Sequence, residues 1–303
     1  MKVTLDLTEL LREGRIGQDE HDKLAALGRR DTASLGFALL VGFGVVTVAA
    51  ALLLLVPSAV TAVALGVALM AAGLGTGARR ADWRVPADVV LLVGAVLLAG
   101  GIVVETDASL AGWVTVTAVC IVAAVLARSG LLAAAAVLAL VAALGSGTGY
   151  GHASYMLVVT RPALTVIVCA GLALGGLVLS TRVGPPWTRL ASIAARTALF
   201  CANLGFWVGS LWGDGEEPGG LTPLAFSLGW AAALLGVAVW AVRADRRWVL
   251  NVAAVFGAIH FYTQWFEHLS ATPLSVLLAG LLALGAALAL WRWNMRAAPP
   301  RSG

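Results

Sequence analysis

The sequence predicts an all-α polytopic integral membrane protein: a bundle of about ten transmembrane helices behind a short helical hairpin. Three observations support this fold class. Hydrophobic residues make up 60% of the 303 residues and charged residues only 12%, whereas soluble domains average about 25% charged residues. The mean hydropathy is +0.92. Apolar runs of about 18 residues or more, long enough to cross a bilayer as a helix, recur along the chain.

Charged or Gly/Pro-rich breaks divide most of the chain into ten apolar segments. Several of these segments begin at or near a proline, which suits the first turn of a helix. The predicted spans are 34–56, 58–76, 87–104, 108–127, 130–147, 162–180, 190–212, 222–242, 248–267 and 274–292. We therefore expect a transmembrane domain over 32–293, preceded by a soluble helical hairpin over 1–31 and followed by a disordered tail over 294–303.

The charges of the loops predict the orientation of the spans. All of the 20 basic residues except Arg161 and Arg196 fall in the termini or in alternate loops, which places them on one side. The loops of the other side are neutral or acidic, as in GDGEEPGG at 213–220. Because basic loops stay in the cytoplasm, both termini are predicted to be cytoplasmic. Arg196 lies inside span seven, close enough to its end to reach the interface.

Two features of the spans remain less specific. Residues 148–161, TGYGHASYMLVVTR, fit an outer loop, an interfacial helix or a re-entrant segment, and the sequence leaves these alternatives open. Pairs of glycines predict close helix packing, because small residues let helix backbones approach in a membrane. These pairs are Gly42 with Gly44, Gly171 with Gly175, and Gly205 with Gly209.

The N-terminal segment reads as two short helices. TLDLTELLREG predicts a helix that Gly14 stops, and QDEHDKLAALG predicts a second helix that Gly28 stops. Apolar residues available to join the two are Leu10, Leu11, Ile16 and Leu24. So small a hairpin cannot form a core of its own. We expect it to cap the bundle, or to bind a protein partner or a second copy of the chain.

The two ends of the chain resemble a known family. Leu11, Gly14, Ile16, Glu20 and Leu24 form the pattern L-x-x-G-x-I-x-x-x-E-x-x-x-L. Together with RRWVLN (246–251), FYTQWFEHLS (261–270) and LLAGLLALG (277–285), this pattern resembles the bacterial multi-pass membrane proteins of domain-of-unknown-function 2157. The resemblance covers only the two ends of the chain. It implies a bacterial inner-membrane protein and brings no activity with it.

The best candidate for a functional site is a polar stripe in span nine. Within GAIHFYTQWFEHLS (257–270), four polar residues are spaced i, i+3, i+4 and i+7, on one face of a helix. They are His260, Thr263, Gln264 and Glu267. Asn203 of span seven lies at nearly the same depth as His260, so the two side chains could form a hydrogen bond between helices.

Two readings of this stripe remain open. In the first, the Asn–His bond only holds helices together, and it contributes about 0.6 kcal/mol, up to about 1.7. In the second, a histidine that titrates near neutral pH leads outward to a carboxylate, as in an outer vestibule for an ion or a small solute.

The remaining sequence offers little chemistry. There is no GxxxxGK[ST], HExxH or GxSxG motif. The three cysteines, Cys120, Cys169 and Cys201, are isolated in apolar runs, which predicts neither a metal site nor disulfides. We therefore expect no cofactor and no enzymatic activity, with the lipid bilayer rather than nucleic acid as the partner. A scaffold or regulatory membrane protein is the first expectation, a small-solute or proton-coupled transporter the alternative, and a membrane-embedded enzyme a remote one.

Overall fold

The computed structural model describes most of the chain as two compact units. The described residues are 10–11, 14–79, 83–151, 154–215, 219–244 and 246–296. The first unit comprises Met1–Ala143 with Leu179–Ala194, and the second comprises Leu144–Val178 with Ala195–Gly303.

Ten long helices make up nearly all of the described residues, which confirms the all-α class. Their bounds are α1 (Gln18–Leu55), α2 (Ala59–Arg79), α3 (Arg84–Glu105), α4 (Leu110–Ala127), α5 (Gly130–Ala143), α6 (Pro162–Arg182), α7 (Trp187–Trp212), α8 (Pro223–Arg243), α9 (Arg247–Leu269) and α10 (Pro273–Arg296). Each helix coincides with one predicted apolar segment, although several bounds differ. The tail begins later than expected, since α10 continues to Arg296, and residues 297–303 lie outside the described part.

Among the described residues, six helices are long and apolar enough to cross a membrane, which indicates a membrane protein. They are Ala59–Gly77, Val85–Glu105, Leu110–Ala127, Pro162–Arg182, Trp187–Trp212 and Pro223–Arg243. Where side chains are described, three shorter apolar stretches lie in α1, α5 and α10, at Leu39–Leu55, Gly130–Ala143 and Pro273–Gly285. The polar side chains of α9 leave it outside both groups.

The N-terminal hairpin differs from its prediction in one respect. Gly14 ends the first helix as expected: its φ is +68°, its N–H donates to Leu11 O at 3.1 Å, and the next N–H, of Arg15, donates to Leu10 O at 2.9 Å. These two bonds form a Schellman motif. Gly28, by contrast, does not stop the second helix, because α1 runs without a break to Leu55.

The prediction failed at Gly28 because a glycine inside a helix costs only about 1 kcal/mol. Such a cost ends a helix only where the backbone also turns into the left-handed region, as it does at Gly14. The expected boundary at residue 31 therefore lies inside a continuous helix. Phe37 packs edge-on against Trp83, with ring centroids 5.6 Å apart, next to the start of the apolar part of α1.

The segment whose structure the sequence left open forms a β-hairpin. Strands β1 (Ser146–Gly151) and β2 (Ser154–Val159) pair antiparallel, with Ser146 opposite Val159. The preceding helix, α5, stops at Ala143 rather than at residue 147. The reason is Gly145, whose φ is +86°. Its carbonyl accepts hydrogen bonds from the N–H and the hydroxyl of Thr160, at 3.2 and 3.1 Å.

A carboxylate in the loop between α7 and α8 caps helix α6. Asp214 accepts a hydrogen bond from Ala163 N–H at 2.9 Å through Oδ1 and another from Leu221 N–H at 3.0 Å through Oδ2. Ala163 is the second residue of α6, where unpaired N–H groups attract negative charge. The acidic loop between α7 and α8 is therefore also a structural link within the second unit.

In the first unit, glycines let α2 and α3 pack backbone against backbone. Gly66 and Gly73 on α2, and Gly94 and Gly101 on α3, are each spaced by seven residues. A Cβ atom added at Gly66 would lie 2.8 Å from Gly94 O, and one added at Gly101 would lie 2.8 Å from Ala59 O. Such distances leave no room for a side chain. Small residues at this spacing are how helices approach closely in lipid.

We predict that Gly101→Val destabilises the protein by about 1–3 kcal/mol, the usual cost of overpacking. The neighbouring Gly100 has nothing within 4 Å of an added Cβ, so Gly100→Val is the matched control. Both variants place the same β-branched residue in α3. Unfolding free energies measured in detergent micelles check the prediction, and equal losses for the two variants would show that the close packing contributes nothing.

Candidate functional site

Helices α7, α8 and α9 form a polar cluster around one tryptophan in the second unit. The side chain of Trp230, on α8, is fully buried. Its Nε1–H donates to Asn203 Oδ1, on α7, at 2.9 Å, and Asn203 Nδ2 donates to Leu199 O at 2.8 Å. Both ends of the amide are therefore partnered, as a buried polar group requires in apolar surroundings.

His260 lies against the same indole but does not bond to Asn203. The imidazole and the ring of Trp230 meet edge to face, with centroids 4.9 Å apart. The Asn203 oxygen is taken by Trp230, and His260 Nδ1 is buried without a hydrogen-bond partner. The Asn–His bond that the equal depth of the two residues suggested is thus replaced by an Asn–Trp bond. The physical reason is that Trp230 brings a donor from a third helix to the amide oxygen.

The remaining residues of the stripe lie in different environments along α9. Thr263 Oγ1 accepts a hydrogen bond from Trp207 Nε1, on α7, at 3.1 Å. Gln264 Nε2 is buried without a hydrogen-bond partner, whereas Glu267, in the last turns of α9, is exposed. The four residues share a helix face, but two of them pack against tryptophans.

Aromatic rings enclose the cluster. Phe206 stacks on Trp230 with ring centroids 6.4 Å apart and ring planes inclined by 2°. Phe256 packs against Trp230 at 6.5 Å and against Phe200 at 5.5 Å. Such aromatic pairs contribute about 0.5–1.5 kcal/mol beyond the burial of their area. The surroundings of the polar groups are therefore close-packed rings.

A cavity of about 100 Å³ adjoins this cluster. Asn203 and Trp230 contribute to its wall, and the rest of the wall is apolar. His260, Gln264 and Glu267 do not line it. The cavity and the polar stripe are therefore separate features of the second unit.

Sequence reasoning missed the role of Trp230 and Trp207. Most tryptophans of the chain lie near the ends of the predicted spans, where an interfacial belt is expected. These two lie well inside α8 and α7. A buried indole N–H needs an acceptor, so a mid-span tryptophan at the depth of Asn203 was the signal that could have identified the pair.

The predicted interaction hairpin is described only in part. Leu10, Leu11 and Ile16 are half-buried, while Leu24 is 42% exposed. The carboxylate of Glu20 accepts a hydrogen bond from Gly17 N–H at 3.2 Å, which caps the start of α1. Residues 1–9 and 12–13, most of the first predicted helix, lie outside the described part.

A further observation concerns the side chains that could hold a metal ion. In the part of the chain that the structure describes, no three His, Cys, Asp or Glu side chains are grouped as a metal ion requires. Cys120, Cys169 and Cys201 are buried free thiols.

Comparison of the chain with protein-family models, with curated proteins and with solved structures finds no match.

We predict that Asn203→Leu and Trp230→Phe are energetically coupled, because either change leaves the other side chain with a buried, unpaired polar atom. Cross-helix hydrogen bonds in membranes contribute about 0.6 kcal/mol on average and up to about 1.7. A double-mutant cycle on the unfolding free energy in micelles measures the coupling. As a control, Asn251→Leu, at an exposed position of α9, should add independently to Trp230→Phe. A coupling no larger than this control would contradict a stabilising Asn–Trp bond.

Proposed function

We propose that the chain is a ten-span inner-membrane protein, with both termini in the cytoplasm, that acts as a scaffold or regulatory protein. The six apolar helices, the three shorter apolar stretches and α9 supply ten candidate spans. An even number of spans puts both termini on one side, and the basic residues in alternate loops favour the cytoplasm for that side. The motif from Leu11 to Leu24 supports membership of the domain-of-unknown-function 2157 family, which adds no activity.

The length of α1 is the observation that carries the proposed scaffold role. The helix has 38 residues, but the apolar span that the sequence predicts in it begins only at residue 34. At 1.5 Å per residue, the preceding part, 18–33, extends over about 24 Å. Its first residues carry charges of both signs, and Leu24 is an exposed apolar residue among them. A helix that extends this far beyond its apolar part offers a surface to a protein partner or to a second copy.

The test is photo-crosslinking of the full chain in cells. We expect a photoreactive amino acid at Leu24 to give a discrete protein adduct. The same probe at Leu54, which is 83% exposed at the apolar end of the same helix, should give none, because lipid surrounds that position. A second copy with a different epitope tag distinguishes self-association from a foreign partner. Absence of any protein adduct from position 24 would contradict the scaffold role.

The second candidate is a small-solute or proton-coupled transporter with an outer vestibule around His260. It is favoured by two buried nitrogens one turn apart on α9, His260 Nδ1 and Gln264 Nε2, that have no hydrogen-bond partner. Buried polar atoms of this kind are costly in apolar surroundings and are often kept for function. The partnered tryptophans and the apolar wall of the cavity argue against a continuous path.

Flux measurements in proteoliposomes decide between the two functions. If the first proposal holds, purified protein moves protons no faster than empty liposomes under an imposed ion gradient, read with a pH-sensitive dye. His260→Ala should then change only thermal stability. Proton flux that His260→Ala abolishes, and that Asn251→Ala leaves intact, would establish the transporter instead.

A further inference from the structure

The apolar cavity of the second unit is lined by four helices, α6 to α9, and extends toward the end where α9 begins. Its wall includes Leu199 and Ala202 of α7, Val237 of α8, and Val252 and Ala253 of α9. The two polar side chains in the wall, Asn203 and Trp230, are bonded to each other. The cavity therefore offers a ligand van der Waals contact and almost no free hydrogen-bonding group.

A positive charge lies one turn from this wall. Arg196 precedes Leu199 by three residues on α7, and Trp248 precedes Val252 by four residues on α9. The guanidinium carbon of Arg196 lies 4.8 Å from the ring centroid of Trp248, a cation–π contact that joins the two helices at this level. Arg196 is nevertheless exposed, so its N–H groups can reach a ligand.

Further cations lie at the same end of the unit. Arg243 closes the last turn of α8 and Arg246 directly precedes α9, and both are exposed. Basic residues therefore lie within two turns of the apolar wall, toward one end of the helices that form it. This order of chemistry, from charged to apolar along the helix axes, matches that of a membrane lipid.

We propose that this cavity binds an anionic phospholipid, with the phosphate on Arg196 and part of one acyl chain along Leu199, Val237 and Val252. Guanidinium groups bind phosphate through paired, charge-assisted hydrogen bonds, and basic pockets between transmembrane helices are known to select anionic headgroups. A soluble anion would leave the apolar wall unused, and a zwitterionic lipid would gain less from the basic residues. The site does not depend on the scaffold role; it needs only that the unit lies in a bilayer.

Native mass spectrometry of the full chain in detergent tests the headgroup. Phosphatidylglycerol should bind more tightly than phosphatidylcholine with the same acyl chains. Arg196→Gln should weaken phosphatidylglycerol binding about tenfold, the size expected for losing one charge-assisted bond. Arg189→Gln, which removes the same charge two turns earlier on α7, should stay near the wild-type affinity. Equal affinities for the two lipids, or unchanged binding by Arg196→Gln, would overturn the proposal.

A pair of neighbouring alanines tests the cavity. Ala233 lines the cavity, so Ala233→Leu should fill it and weaken phosphatidylglycerol binding several-fold. Ala232 is exposed and outside the cavity wall, so Ala232→Leu should bind as the wild type does. Glycerol phosphate, which has the headgroup charge without acyl chains, should not compete with the lipid. Effective competition would indicate a simple anion site, and equal binding by the two alanine variants would place the lipid elsewhere; either result overturns the proposal.

Discussion

The constraint behind this structure is that lipid gives helices no hydrophobic reason to associate. Contact between them must come from close van der Waals packing or from buried hydrogen bonds. The first unit uses the first means, with Gly66 and Gly94 placed where the backbones of α2 and α3 meet. The second unit adds the other, with Trp230 buried at a point where α7, α8 and α9 come together. These contacts limit which substitutions each unit tolerates.

The same constraint changes how the polar residues of the second unit are understood. A buried indole N–H must find an acceptor, and in an apolar helix bundle the acceptors are few. Trp230 uses the amide of Asn203, and Trp207 uses the hydroxyl of Thr263. Of the polar side chains that the sequence offers for transport, Asn203 and Thr263 therefore already serve helix packing. The buried nitrogens of this unit that have no hydrogen-bond partner, His260 Nδ1 and Gln264 Nε2, lie within two turns of α9.

The sequence predicted most elements whose cause is local. Hydropathy located the helices, and Gly14 stopped a helix because its backbone conformation suits glycine, although no stop formed at Gly28 and the stop at Gly145 was missed. Contacts between helices were less predictable, because periodicity identifies a face of one helix but not the residue that it meets. For this reason the Asn203–Trp230 pair and the α2–α3 glycines were missed, and Gly171 and Gly175, expected to pack, have nothing within 4 Å of an added Cβ. The β-hairpin depends on pairing across residues 146–159, which hydropathy does not reveal.

The continuity of α1 matters because it joins the polar N-terminal region to the apolar part of the same helix without a flexible link. A hairpin tethered by a loop could bind a partner without affecting the bundle. In a single helix, whose hydrogen-bonded turns run from Gln18 to Leu55, a force or tilt applied near Leu24 is carried to the apolar part. The Phe37–Trp83 contact connects this helix to the start of α3. Such coupling suits a regulatory protein, in which a partner bound outside the membrane biases the helices within it, better than it suits a passive anchor.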